Sequence, residues 1–285
     1  MGLHAIINYS SGSVPQDAAR LLDRELGNHS SSLQVSETDG SDMKKIVTDV
    51  SQSDAEAILV WGGDGTVTSI AEKLLGTKTP LLPLPGGTMN MLHERVHEDT
   101  TDWQSCLRAL AQPDKAVALT PGTICSHYFF VATMFGQLVE MTAPREALRD
   151  GNPAKAIQHV MERDILALDS IIKTTLTTKD ETEVRDKVTA LAAFAPDTDE
   201  PVFEVGMIDP DNLLQLAETG LKAILTGWRN TDTIRHVKAK QVEISSSNGA
   251  SIPFTVDGEL RHHDGDITVG IADKSVAFLG TKALS

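Results

Sequence analysis

Basic residues are scarce in this chain. Lys and Arg number 25 against 40 Asp and Glu in 285 residues, a formal charge of −15. That balance excludes nucleic acid as a partner, since its phosphates demand the opposite sign. It also excludes tight adsorption to anionic membranes through a general basic surface. Cysteine is nearly absent. Cys106 and Cys125 are too few for a disulfide framework or a zinc site, and they read as reduced core thiols of a cytoplasmic protein. No stretch approaches the roughly 20 apolar residues of a membrane span. The N-terminus lacks the basic-then-apolar layout of a signal peptide. There is no Gly-x-x-x-x-Gly-Lys-Ser/Thr loop, internal repeat or low-complexity segment. The 40% hydrophobic content is that of an ordinary globular protein, and the length suits one large domain or two modest ones.

Two glycine-rich turns are what the chain does have. Ala57-Ile58-Leu59-Val60 is a short apolar run suited to a buried parallel strand. It feeds Trp61-Gly62-Gly63-Asp64-Gly65-Thr66, and Ile70, Leu74 and Leu75 follow at helical spacing. Glycines permit positive φ and close approach to a ligand, and a turn opening a helix aims N–H groups at an anion such as phosphate. A carboxylate cannot attract phosphate, so Asp64 fits if a Mg²⁺ ion or a donor hydroxyl lies between them. The second turn, Pro83-Leu84-Pro85-Gly86-Gly87-Thr88-Met89-Asn90, lies about 25 residues on, before a helix through Met91, Leu92 and Arg95. Two strand-turn-helix units place both turns on the carboxyl edge of a parallel sheet, where open α/β folds bind ligands.

Gly62-Gly63-Asp64-Gly65-Thr66, Pro85-Gly86-Gly87-Thr88-Met89-Asn90 and Val256-Asp257-Gly258-Glu259 together resemble the three signatures of the diacylglycerol kinase catalytic domain family. That family includes bacterial diacylglycerol kinases and sphingosine kinases, with NAD kinases as distant relatives. By the same resemblance, Asn8 at the end of the first strand and Thr38 at the end of the second face the nucleotide; Thr38 equally suits a cap for the following helix. The chain departs from the family pattern at Tyr9, Thr68, Ser69 and Met91. Asp197-Thr198-Asp199-Glu200 is acidic but does not match the family's structural Mg²⁺ loop.

The expected fold class is α/β. An N-terminal domain holds an open, mainly parallel sheet, and a C-terminal domain is mainly β and sandwich-like. The boundaries fall at residues 1–116 and 117–271, and the resemblance implies that a strand at about 272–285 returns to the first domain. Trp103, Leu107 and Leu110 predict one helical face ending at Pro113. Ile157, Met161, Ile165, Leu168 and Ile172 predict a helix over 154–174, and Leu213–Leu225 another.

Phosphoryl transfer needs a polyphosphate seat, a divalent cation and a group that positions or deprotonates the acceptor. The nucleotide seat comprises Asn8, Thr38, Gly62, Gly63, Asp64, Gly65, Thr66, Gly86, Gly87, Thr88 and Asn90, with Asp64 the metal contact. The catalytic candidates are Asp64, Glu259 and Asp257. By resemblance Glu259 is the base and Asp257 its partner or orienter, although Asp-Gly alone reads as a hairpin turn. His262 and His263 follow and are expected to face solvent. The resemblance implies an ATP- and Mg²⁺-dependent kinase. It would phosphorylate a hydroxyl of diacylglycerol or a sphingoid-like lipid in an interdomain cleft, with transient membrane contact from the cytoplasm. The alternatives are a kinase for a soluble acceptor such as NAD, and a nucleotide-binding regulatory protein without turnover. A homo-oligomer stays open.

Overall fold

The computed structural model describes residues 2–27, 32–98, 102–140, 172–197, 200–208, 234–246 and 251–282. It divides into two units, residues 1–121 with 273–285, and residues 122–272.

In the first unit β1 (Gly2–Asn8), β2 (Ser32–Thr38), β3 (Ala57–Gly62) and β4 (Leu81–Pro85) run parallel. Helices α1 (Ala18–Leu26), α2 (Met43–Ser51) and α3 (Asp64–Lys73) connect them in turn. The order β2-β1-β3-β4 continues to β17 (Val276–Phe278) and β5 (Val117–Leu119). All six residues of β3 are buried, as a strand covered on both faces must be. Ala5, Ile7, Leu59, Leu82 and Leu84 share a cluster with Ala18, Leu22 and Leu26, which recur at four-residue spacing along α1. Burying a leucine such as Leu22 contributes about 2 kcal/mol. The chain leaves β1 toward β2 and returns on β1's other side as β3, so a topological switch point lies at the carboxyl ends of β1 and β3.

The C-terminal segment does return to this sheet. Phe278 of β17 pairs in parallel with Leu81, and β17 runs antiparallel to β5. That single rung leaves Pro83 and Pro85 of β4, which lack an N–H, beyond the ladder on that side. The helix predicted from Trp103 to Pro113 is shorter. Its α-helical part covers only Trp103–Cys106, followed by 3₁₀ turns at Leu107–Ala111 and Pro113–Lys115. Trp103, Leu107 and Leu110 nevertheless pack on the first core, so the apolar face was right and the helix type was not.

The second unit is an antiparallel sheet. Its strands are β6 (Gly122–Ile124), β7 (His127–Phe129), β8 (Ala132–Gly136), β9 (Ile172–Thr178), β10 (Glu183–Val188), β11 (Ala190–Phe194), β12 (Phe203–Ile208), β13 (Ile234–Ser246), β14 (Ile252–Val256), β15 (Glu259–His263) and β16 (Ile267–Ile271). The long β13 pairs first with β12, then passes an irregularity at Ala239/Gln241 and pairs with β9 and β16. Such a bulge is how a strand changes layers in a sandwich. Phe129, Phe135, Leu176, Phe203, Val242, Phe254 and Val269 meet in its core.

Two expectations are corrected here. Ile172, assigned to a helix over 154–174, begins strand β9 and is buried. Its alternating neighbours Thr174 and Leu176 supply a period-2 pattern, which outweighs the helical stripe at that end. The rest of that stripe, and Leu213–Leu225, lie outside the described residues. Cys106 is buried as expected, but Cys125 is exposed. Cys125 turns the β6–β7 hairpin at φ 51°, where a residue faces solvent.

Candidate nucleotide site

The two glycine turns stand side by side because their strands do. Gly62 pairs with Pro85 at the last rung of the β3–β4 ladder, so each chain enters its turn at the same level. No glycine of either turn uses positive φ. Left-handed glycines occur at Gly40, Gly76, Gly136, Gly258 and Gly265, and none belongs to these turns. What the turns require is absence of a Cβ. A Cβ on Gly86 would stand 2.7 Å from Val14 Cγ2, 2.8 Å from Gly62 N and 2.9 Å from Gly62 Cα. One on Gly87 would stand 2.8 Å from Gly63 Cα. The glycines therefore let one turn lie against the other.

Several groups expected to face a ligand also hold the turns together. Asp64, the first residue of α3, accepts the Leu92 N–H at 3.0 Å. It thereby caps α4 (Met91–Val96), whose own N-cap residue Asn90 makes no cap bond. Asn90 is left-handed at φ 51°, a conformation asparagine tolerates, and its Oδ1 accepts the Gly87 N–H at 2.7 Å. The Gly63 N–H donates to Ser11 Oγ at 3.0 Å. Asn8 is buried; its amide donates to Thr66 Oγ1 at 2.9 Å, and its Oδ1 accepts from Ser10. Thr38 is buried, accepts the Gly40 N–H at 2.8 Å and donates to Asp42. Thr38 thereby organises the turn into α2. Gly65 and Thr88 are exposed, and the Gly65 N–H has no acceptor among the described residues.

The structure thus gathers Asn8, Gly62, Gly63, Asp64, Gly65, Thr66, Gly86, Gly87, Thr88 and Asn90 at one sheet edge, with Thr38 at the end of neighbouring β2. Sequence reasoning missed Ser11 as the partner of a turn N–H, and Leu92 as the partner of Asp64. Ser11 carried a signal, since it follows Asn8 in the loop after β1.

Asp257-Gly258 is a hairpin turn. Both residues have positive φ, 46° and 88°, and Val256 faces Glu259 across the β14–β15 pair. Asp257 is buried. Its carboxylate accepts three consecutive backbone N–H groups, Phe130 at 2.9 Å, Val131 at 2.8 Å and Ala132 at 3.1 Å. A carboxylate so used is an anchor and an orienter rather than a base. Glu259 is exposed on β15 and pairs with Arg261 at 3.1 Å. His262 is exposed and His263 partly so. Glu200 is held by Lys179 and Lys238, each at 2.6 Å, and these two hydrogen-bonded cations bring its carboxyl down to about 2.

One polar cluster behind the second turn had no reading in the sequence. His93 and His97, four residues apart, lie with Cys106 in the interior. His93 Nε2 is 3.3 Å from Cys106 Sγ, and the two imidazole rings are 4.5 Å apart. The Thr281 N–H donates to His97 Nδ1 at 3.2 Å, which leaves the ring proton on Nε2, donated to the Pro83 carbonyl at 2.9 Å. Burial lowers both histidines to about 4, with further repulsion from Lys282, and pushes the Cys106 thiol up to about 12. Counting cysteines alone hid this cluster; the His-x-x-x-His spacing was the available signal.

Residues 2–120 match the family described as diacylglycerol kinase catalytic domain. Among solved structures, a putative diacylglycerol kinase from Bacillus anthracis str. Sterne superposes with a TM-score of 0.71 at 16% identity, covering 100% of this chain and 98% of that one. A second diacylglycerol kinase from that organism gives 0.66 at 13% identity, over 98% and 96% of the two chains. An NAD kinase from Archaeoglobus fulgidus, solved in complex with ATP, gives 0.55 at 13% identity over 97% and 93%. At these identities the structures establish a shared fold.

Proposed function

With residues 2–120 matched by the diacylglycerol kinase catalytic domain family, we propose that this chain is an ATP-dependent lipid kinase. The acceptor is the hydroxyl of a diacylglycerol or sphingoid-like lipid. The observation that carries the reading is the pair of glycine turns packed on each other at the ends of β3 and β4, with Asp64 joining them. The unused Gly65 N–H at the start of the ten-residue α3 supports a phosphate there, since helix N-termini favour anions. Thr88 is exposed in the second turn and offers a hydroxyl.

Asp64 fits a Mg²⁺ contact in its chemistry. It is a carboxylate at the helix start whose Oδ1 accepts the Leu92 N–H, and a carboxylate has about four lone-pair positions. Bound Mg²⁺ would neutralise charge on the polyphosphate. Asn8 holds the Thr66 hydroxyl, and Ser11 holds the Gly63 N–H, so the seat is preorganised before nucleotide arrives. On the acceptor side the resemblance assigns the base to Glu259, with Asp257 fixing the hairpin that presents it. A hydroxyl of high pKa needs a base only as the transition state forms, and a carboxylate can serve. No helix among the described residues is long and apolar enough to cross a membrane. The reading takes the lipid through transient contact with the bilayer.

The test is transfer of labelled phosphate from ATP with Mg²⁺ to a panel of lipids in mixed micelles, with NAD and acceptor-free reactions in parallel. A labelled lipid, lost in Asp64→Asn and Glu259→Gln, is expected. Label on NAD alone, or bound ATP with no product from any acceptor, would overturn the lipid reading.

A further inference from the structure

We propose that His93, His97 and Cys106 form a binding site for a borderline-soft divalent transition metal such as Zn²⁺, separate from the Mg²⁺ contact at Asp64. Three residues from two segments converge there. His93 lies in α4, His97 caps its carboxyl end, and Cys106 ends α5 (Trp103–Cys106). One ligand atom from each lies within 4.8 Å of the others. The His93 Nε2–Cys106 Sγ distance of 3.3 Å is close to the roughly 3.5 Å edge expected of a zinc tetrahedron with bonds of about 2.0 and 2.3 Å. His93 and His97 are four residues apart, with His97 just past the last residue of α4 in extended backbone, so its ring comes to the cluster from the helix end.

The surroundings suit the ion's needs. Metal-bound histidine usually donates its other ring N–H to a carbonyl or carboxylate, which fixes the ring and its tautomer. His97 already does so, through Nε2–H to the Pro83 carbonyl. Its lone-pair nitrogen Nδ1 accepts the Thr281 N–H at 3.2 Å; binding an ion there breaks that hydrogen bond, so the Thr281 backbone must move aside and its N–H must turn to another acceptor. Both histidines are neutral near pH 7, as ligands must be. Cys106 binds as thiolate: the S–H bond breaks, a sulfur–metal bond forms, and one proton leaves to solvent. That proton release offsets affinity, because burial disfavours the thiolate. The gain is a covalent-strength tie between α4 and α5, directly behind the second glycine turn. Two protein nitrogens and one sulfur leave a fourth position for water.

Titration of the metal-free full chain with Co²⁺ tests this. Binding is expected at one ion per chain, with a thiolate-to-cobalt charge-transfer absorption, tetrahedral ligand-field bands, about one proton released, and reversal by Zn²⁺. Cys106→Ser should remove the charge-transfer absorption, and His93→Gln should weaken binding on the order of 100-fold. Thermal melts of both variants report folding, and should a variant not fold, absorption and proton release in the unaltered chain decide the matter. Absence of charge-transfer absorption in the folded chain would overturn the proposal. So would Zn²⁺ affinity unchanged in both variants, which would place bound metal on exposed histidines such as His262.

Discussion

The carboxylate of Asp64 accepts the backbone N–H of Leu92 at 3.0 Å. One side chain at the start of α3 therefore caps α4 and ties the first glycine turn to the second. Charge and shape can be separated at this position. Asp64→Asn keeps an oxygen for Leu92 and should melt near the unaltered protein while losing Mg²⁺-dependent ATP binding and transfer. Asp64→Ala removes the cap as well and should be less stable by about 1 kcal/mol. Urea denaturation alongside ATP-binding calorimetry distinguishes the two. An Asp64→Asn enzyme with full activity would remove the cation from this residue.

Gly86 and Gly87 are expected to matter even without ligand. An added methyl at Gly86 meets backbone at 2.8 Å and 2.9 Å, where nothing flexible can yield. Gly86→Ala and Gly87→Ala should each destabilise the nucleotide-free chain by about 1–3 kcal/mol, the range of overpacking. Gly12→Ala is the control, since nothing lies within 4 Å of its Cβ position. Equal midpoints for all three in urea would show that the turns separate readily.

Asp257 and Glu259 should part company. Asp257→Ala strands three N–H donors of residues 130–132 and should lower stability by about 3–5 kcal/mol, as breaking a buried charge-assisted network does. Glu259→Gln alters an exposed side chain, so its melting temperature should stay within a degree or two of the unaltered protein, in keeping with surface changes of under about 0.5 kcal/mol. Its transfer rate should nonetheless collapse. A stable Asp257→Ala protein that lacks only activity would reverse the assignment of anchor and base.

Acid should weaken the first unit through buried histidine. His4 is fully buried on β1 with Ser36 and Ser53 as partners, and desolvation lowers its pKa below 6.5, with Asp49 opposing. The folded pKa is depressed, so the unfolded chain binds the proton first. The stabilisation from neutral His4 is complete above about pH 6.5 and is lost as pH falls through the interval down to the folded value. Denaturation at pH 7.5 and pH 5.5 should show a loss that is smaller in His4→Gln. An identical loss in the variant would move the effect to other groups, His93 and His97 first.

The sequence by itself determined the parallel α/β half, the β-rich half and the residues of both glycine turns. These are local properties: apolar runs of strand length, helical stripes, and glycines where no side chain fits. It also supplied the ingredients of the Asp257-Gly258 hairpin, because an Asp-Gly step between two strands is a local hairpin signal. Partnerships across the fold were decided by tertiary structure alone. That the glycines serve contact between two turns, rather than positive φ, depends on Gly62 and Pro85 ending their ladder at one level. That Asp64 reaches Leu92, Ser11 reaches Gly63 and Asp257 reaches residues 130–132 depends on pairs 28, 52 and up to 127 positions apart. No local pattern encodes such distances. The same holds for Cys106, which the sequence offered as a lone thiol and the tertiary fold delivered to two histidines.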